Sequence, residues 1–209
     1  MAESFSWPFR GTWHSVWAIG IVAVLLLPVL FIPLLGYAVA ATRASEVDAA
    51  SGPPRWRLEP RLLADGFWVA VVLLVSVAPF ALLLNPLAAL LAGIAGTTLV
   101  AHAVAFFVLA LPWGILALLV LPHATATFAT SGDPRDLFNV VAAMRGVRRD
   151  FPTWNAVVAA MVTAWAIGLA CAGLLCVGVV PGVFYAILVS AHASATLHAE
   201  GPGPGRAAR

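Results

Sequence analysis

Lysine is absent from this 209-residue chain, and its long apolar stretches hold almost no charge of any kind. All eleven basic side chains are arginine, and against nine carboxylates they leave a formal net charge of only +2. So small an excess argues against nucleic acid as a partner and fits the surface of an anionic membrane. Cysteine is nearly missing too. Cys171 and Cys176 lie in one apolar run, five residues apart and therefore on different helical faces. That spacing fits neither a metal site nor a disulfide framework, so both read as packing residues and neither indicates a compartment. Also absent are a phosphate-cradling glycine loop, a pair of carboxylates at a shared site and a metal-binding helix motif. Met1 to Gly11 offers no cleavage site after a short apolar core, so no signal peptide is expected.

What is present is hydrocarbon-like sequence. Hydrophobic residues make up 62% of the chain, against about 45–50% in soluble domains. At about 20 apolar residues per crossing, the length allows four to six crossings and no second folded domain. The expected fold is all-α: an integral membrane helical bundle of four to six hydrophobic helices with one cytoplasmic interfacial amphipathic helix, a single domain over residues 1–200. Residues 1–16 carry Phe5, Trp7, Phe9 and Trp13 among polar neighbours, the composition of an interfacial anchor. Apolar runs follow at about 17–41, 62–84, 97–127, 154–179 and 183–198, and the glycine- and proline-rich tail 201–209 is expected to be disordered. Pro28, Pro33 and Gly36 interrupt the first run, which is either one kinked crossing or two half-helices that re-enter. Asn85 and Pro86 are expected to end the second helix and leave Leu87 to Gly96 as a turn or half-helix.

Ser131 to Trp154 marks a membrane surface. Asp133 can cap a helix that begins at Pro134, Asp136 sits in its positive first turn, and Pro152 ends it. Over 134–149, Leu137, Val140, Val141 and Met144 form an apolar stripe opposite Arg135, Asn139, Gly146 and Arg149. Arg135, Arg145, Arg148 and Arg149 are the membrane-surface candidates. The loop from Arg43 to Arg61, this segment and the tail are the basic parts of the chain. They are therefore placed together on the cytoplasmic face of the cell inner membrane, with the C-terminus.

Several short elements, in their order and spacing along the runs, resemble a bacterial and archaeal membrane family, domain of unknown function 4013. They are Phe5-Ser6-Trp7-Pro8-Phe9 with Trp13, Pro33-Leu34-Leu35-Gly36-Tyr37 with Arg43, Asp65-Gly66, Ser131-Gly132-Asp133 with Phe138, and Phe184-Tyr185 with Ala191-His192. The resemblance covers nearly the whole chain. It implies a multi-helix integral membrane protein with no assigned activity and no catalytic residues to carry over.

Residues that could carry chemistry are few. Asp65 is the one carboxylate inside an apolar run, and its place near Arg61 points to a cap or an interfacial ion pair. His102 and His192 lie on different helices and are the candidates for haem ligation across a bundle, weighed against helix-to-helix hydrogen bonds. Ser190, Ser194 and His198 share a face, but no carboxylate in that span orients the histidine. No cofactor and no metal are expected. Ala160, Ala164, Gly168, Ala172 and Cys176 recur every four residues, a small-residue stripe that lets another helix approach closely.

These features lead to the expectation of a non-enzymatic membrane accessory or scaffold subunit. Its partners would be the lipid bilayer and other membrane subunits or further copies of itself. The alternative is a small transporter or channel for an apolar or lipid-like solute, with a cavity bordered by Thr98, His102, Ser190 and Ser194; a solid leucine-packed interior would discard that alternative.

Overall fold

A computed structural model describes residues 2–173 and 178–199; 88% of these are helical, with no strand among them. The tail 201–209 and Cys176 lie outside the described residues. The helices are α1 (Ala2–Ser6), α2 (Trp13–Leu25), α3 (Leu27–Val47), α4 (Pro60–Ala95), α5 (Thr98–Ser131), α6 (Val140–Arg149), α7 (Phe151–Ala170) and α8 (Val179–Ala199). Leu27–Val47, Pro60–Ile94, Thr98–Ser131, Phe151–Ala170 and Val179–Leu197 are each long and apolar enough to cross a membrane.

The first apolar run is two helices. The backbone leaves helical geometry at Leu26 (φ −96°, ψ 29°), just ahead of Pro28, and the chain doubles back. Arg10 Nη1 donates to the Ala49 carbonyl (3.3 Å), and Trp56 donates to the Val16 carbonyl (3.2 Å) while stacking on Tyr37 (3.9 Å). Residues 10–17 therefore sit beside 37–56, at one end of the bundle. With 13 residues, α2 is only about 20 Å long, too short to cross a hydrocarbon layer of about 30 Å.

α4 does not end at Asn85-Pro86. It continues through both to Ala95, and Leu87 to Gly96 is helix rather than turn up to a left-handed Gly96 (φ 74°). An internal proline costs a helix about 3 kcal/mol in water. In hydrocarbon an ended helix would expose several unbonded backbone groups, each costing several kcal/mol, so continuing is the better solution. Thr97 then caps α5 through Val100 N (3.3 Å). The two helices run antiparallel, tied by Trp113 Nε1 to the Ser76 carbonyl (2.6 Å) and by an edge-to-face Phe80–Phe106 contact.

The core lies where α2, α3 and α8 meet, around Trp7, Tyr37, Phe184 and Leu188, and continues between α3, α4 and α5 around Val39, Val69, Val72 and Phe128. α3 and α4 cross closely: a Cβ on Gly66 would fall against the Ile32 carbonyl and 2.7 Å from the Gly36 nitrogen.

The segment 134–149 is a 3-10 turn, Pro134–Phe138, followed by α6, with Asp133 capping the first and Asn139 the second (Ala142 N, 2.9 Å). The break at Asn139 changes the rotation about the axis, so the inward residues are Leu137, Ala143 and Val147, while Val140 and Val141 of the expected stripe are exposed. Gly146, expected on the polar side, meets His123: a Cβ there would stand 2.7 Å from the imidazole. Arg135, Arg145, Arg148 and Arg149 are all exposed.

Candidate functional site

Small residues on α7 set the first part of the geometry. Val157, Ala160, Ala164 and Gly168 are buried, and Ala186, Val189 and Ala193 of α8 face them. At the tightest point the two backbones touch: a Cβ on Gly168 would be 2.6 Å from the Gly182 oxygen, and one on Gly182 would be 2.6 Å from the Gly168 oxygen. The described part of the stripe is thus taken up by α8 within the chain. The Ala172 side chain and Cys176 lie outside the described residues.

Away from that seam the helices part. A half-open cavity of about 260 Å³ lies between α3, α5, α7 and α8, with walls that include Val39, Leu121, Met161, Trp165 and Ile187. Four hydroxyls border it: Thr42, Thr125, Ser190 and Ser194. Three bond back to their own helix, Thr42 to the Ala38 carbonyl (3.1 Å), Thr125 to Leu121 (2.7 Å) and Ser194 to Ser190 (2.8 Å). Such bonds free the hydroxyl from needing a tertiary partner while leaving lone pairs on the cavity side. Ser190 Oγ is buried without a protein partner. α5 and α7 are joined where Trp154 Nε1 donates to the Leu118 carbonyl (3.2 Å), and otherwise barely touch. Trp165, on the cavity wall, is also exposed on the outside.

Ser190 and Ser194 border the cavity as the sequence suggests, but Thr98 and His102 do not. His102 is exposed near the start of α5, with Nδ1 against the Thr98 carbonyl (2.8 Å). It lies fifteen residues, about 22 Å of helix, before Ala117, the first α5 residue on the cavity wall. His192 is buried in α8, with Nδ1 3.0 Å from Ser4 Oγ and its ring 5.1 Å from that of Trp7. The two histidines are therefore not brought together as a haem ligand pair, because one stands at the hairpin end of α5 and the other holds α1 onto α8. The His198 side chain lies outside the described residues.

Asp65 finds a different partner from Arg61. Arg43 Nη2 meets Asp65 Oδ2 at 3.1 Å, and Arg43 Nε donates to the Ala129 carbonyl at 2.7 Å, so one guanidinium ties α3, α4 and the end of α5. The glycine crossing of α3 and α4 brings Arg43 to this position.

The sequence profile of a family described as protein of unknown function, DUF4013, matches residues 19–197. The chain belongs to DUF4013. No curated protein and no solved structure matches it. The elements that carry the likeness to DUF4013 meet in space: Trp7 against His192, Tyr37 against Phe184, Gly36 against Gly66, and Arg43 on Asp65. Thr42, Thr125 and Trp56 escape a reading by sequence. Hydroxyls and a loop tryptophan are unremarkable along the chain, and only the proline three residues before Thr125 hints at an irregular helix there.

Proposed function

We propose that this DUF4013 protein binds a small apolar or lipid-like solute in the cavity between α3, α5, α7 and α8, reached from the bilayer through the parting of α5 and α7. The observation that carries the reading is the cavity itself: apolar walls, four hydroxyls and a buried Ser190 Oγ with no protein partner. Pockets for small ligands are typically apolar with a few placed polar groups. We read the role as non-enzymatic, since the lining of that cavity carries no histidine, carboxylate, lysine or cysteine to act as a base toward Ser190. The basic segments are assigned to the cytoplasmic face of the inner membrane; for the loop from Arg43 to Arg61 and the segment that follows Ser131, the nearness of Arg61 to Gly132 supports placing the two together.

The test is mass spectrometry of an organic extract of protein purified in mild detergent. Wild type should release an apolar molecule in fixed proportion, and Ser190→Leu, which fills the cavity, should not. Equal recovery from both would refute the proposal. The accessory-subunit reading is second. The face that α7 uses is occupied by α8, so a partner would have to seat on the exposed flanks of α4 and α5, where Leu82, Leu90, Leu99 and Phe107 are more than two-thirds exposed. Stoichiometric co-purification of another membrane protein, lost on Leu90→Asn, is its readout.

A further inference from the structure

At the end of the bundle where Arg43 meets Asp65, on another face of α3, a second cavity of about 180 Å³ opens. Its lining includes four arginines, Arg43, Arg55, Arg57 and Arg61, against two carboxylates, Glu59 and Asp65. Asp65 is committed to Arg43, and among the described residues that is the only ion pair. Arg55, Arg57 and Arg61, all exposed, therefore border one cavity with only Glu59, also exposed, as a carboxylate outside that pair. Three arginines against one carboxylate leave an excess of positive charge that favours an anion there.

The loop that carries two of the arginines is held in place. Trp56, between Arg55 and Arg57, stacks flat on Tyr37 (3.9 Å, 5°) and donates to the Val16 carbonyl, and Tyr37 Oη donates to the Pro54 carbonyl at 2.8 Å. The loop backbone is thereby pinned at Pro54 and Trp56, on either side of Arg55 and just before Arg57, which limits the backbone ordering still to be lost on binding. The start of α4 forms another wall. Its N-cap Glu59 makes no side-chain capping bond and Pro60 follows, so the first-turn N–H groups of Arg61 and Leu62 face this end uncapped. A helix N-terminus with free N–H groups favours negative charge, and here it coincides with the arginine cluster.

We propose that the cavity walled by Arg43, Arg55, Arg57 and Arg61, with Glu59 and Asp65 at its edge, binds the phosphate group of an anionic ligand. Phosphate matches the guanidinium fork in geometry and carries the charge that three arginines against one carboxylate call for. Two sources share this chemistry, a phospholipid headgroup with an exposed phosphate and a free phosphate compound. The site is independent of the apolar cavity proposed above.

The experiment uses the full chain in nanodiscs of phosphatidylcholine, with or without phosphatidic acid. Phosphatidic acid retained after a detergent wash is measured by mass spectrometry, and unfolding midpoints are followed with inorganic phosphate titrated against chloride at equal ionic strength. If the source is lipid, the double variant Arg55→Gln, Arg57→Gln retains about tenfold less phosphatidic acid than wild type, the change expected for the loss of a charge-assisted hydrogen bond. The triple variant Arg145→Gln, Arg148→Gln, Arg149→Gln retains it. If the source is a free compound, inorganic phosphate raises the midpoint of wild type and not of the double variant, with no dependence on phosphatidic acid. Equal retention by wild type and double variant together with no phosphate effect overturns the proposal, as does loss of retention in the triple variant alone. If the double variant unfolds more easily in phosphatidylcholine alone, Arg61→Gln, which leaves both neighbours of Trp56 intact, takes its place and must show the same loss.

Discussion

Substituting alanine at Gly168 tests the close backbone contact between α7 and α8. The added Cβ would stand 2.6 Å from the Gly182 oxygen and 2.9 Å from its carbonyl carbon, both backbone atoms that no rotamer change can move. Ordinary contact begins near 3.4 Å, so α7 and α8 must separate there by close to an ångström. Overpacking of this kind costs about 1–3 kcal/mol. Gly114 supplies the control, because a Cβ there meets nothing within 4 Å and should add only the helix propensity of alanine, a gain of about 1 kcal/mol. Both variants receive that gain, so the overpacking cost is the difference between them. At about 2–4 °C per kcal/mol for a chain of this length, Gly168→Ala should unfold roughly 2–12 °C below Gly114→Ala. Gly168→Leu, with three more carbons to place, should fall further. The assay is thermal unfolding in mild detergent followed by intrinsic tryptophan fluorescence. If Gly168→Ala is as stable as Gly114→Ala, the backbones do not touch and the seam has been misread.

Asp65→Asn should cost about 3–5 kcal/mol, because it leaves the Arg43 charge partly buried without its counter-charge. A double-mutant cycle with Arg43→Met should recover much of that loss, and simple additivity would refute the pair. Trp56→Ala removes the stack on Tyr37 and the bond to Val16, and should lower stability by about 2–4 kcal/mol; an unchanged unfolding midpoint would show that the loop is not anchored. In a chain with Cys171 and Cys176 replaced by alanine, single cysteines at Arg10 and Ser51 should react with a membrane-impermeant maleimide from the same side of sealed vesicles. Labelling from opposite sides would refute the doubling back of α2 and α3.

The helical runs were legible because twenty-odd apolar residues in a row have few other options, and the proline cluster announced the break between α2 and α3. Asn85-Pro86 misled because it is a stop signal calibrated in water, where a freed carbonyl finds a new partner; among apolar neighbours the helix runs on. Asp65 was assigned toward the arginine nearest along the chain. The true partner lies 22 residues away and is delivered by the close crossing at Gly36 and Gly66. Asn139 looked like part of a polar face, but its side chain caps a new helix and resets the rotation of everything after it. The cavity was legible on its α8 side alone, through Ser190 and Ser194; its other hydroxyls were not, since Thr42 and Ser190 lie 148 positions apart and become neighbours only when α3 packs on α8.

The length of the α4–α5 pair has a consequence for the membrane itself. Beyond Asp65 the uncharged part of α4, residues 66–94, is 29 residues, about 44 Å of helix against a hydrocarbon layer of about 30 Å. Even at 40°, the top of the usual range of tilts, a straight helix of that length still spans about 33 Å. α7, with 20 residues, matches an ordinary layer with about 30 Å. One flank of the molecule therefore asks for a thicker bilayer than the other, unless Pro79, Pro86 and Pro112 bend the long pair toward the membrane plane. Lipid around the protein is consequently deformed on one side, and where the molecule settles depends on local bilayer thickness as much as on any contact it makes.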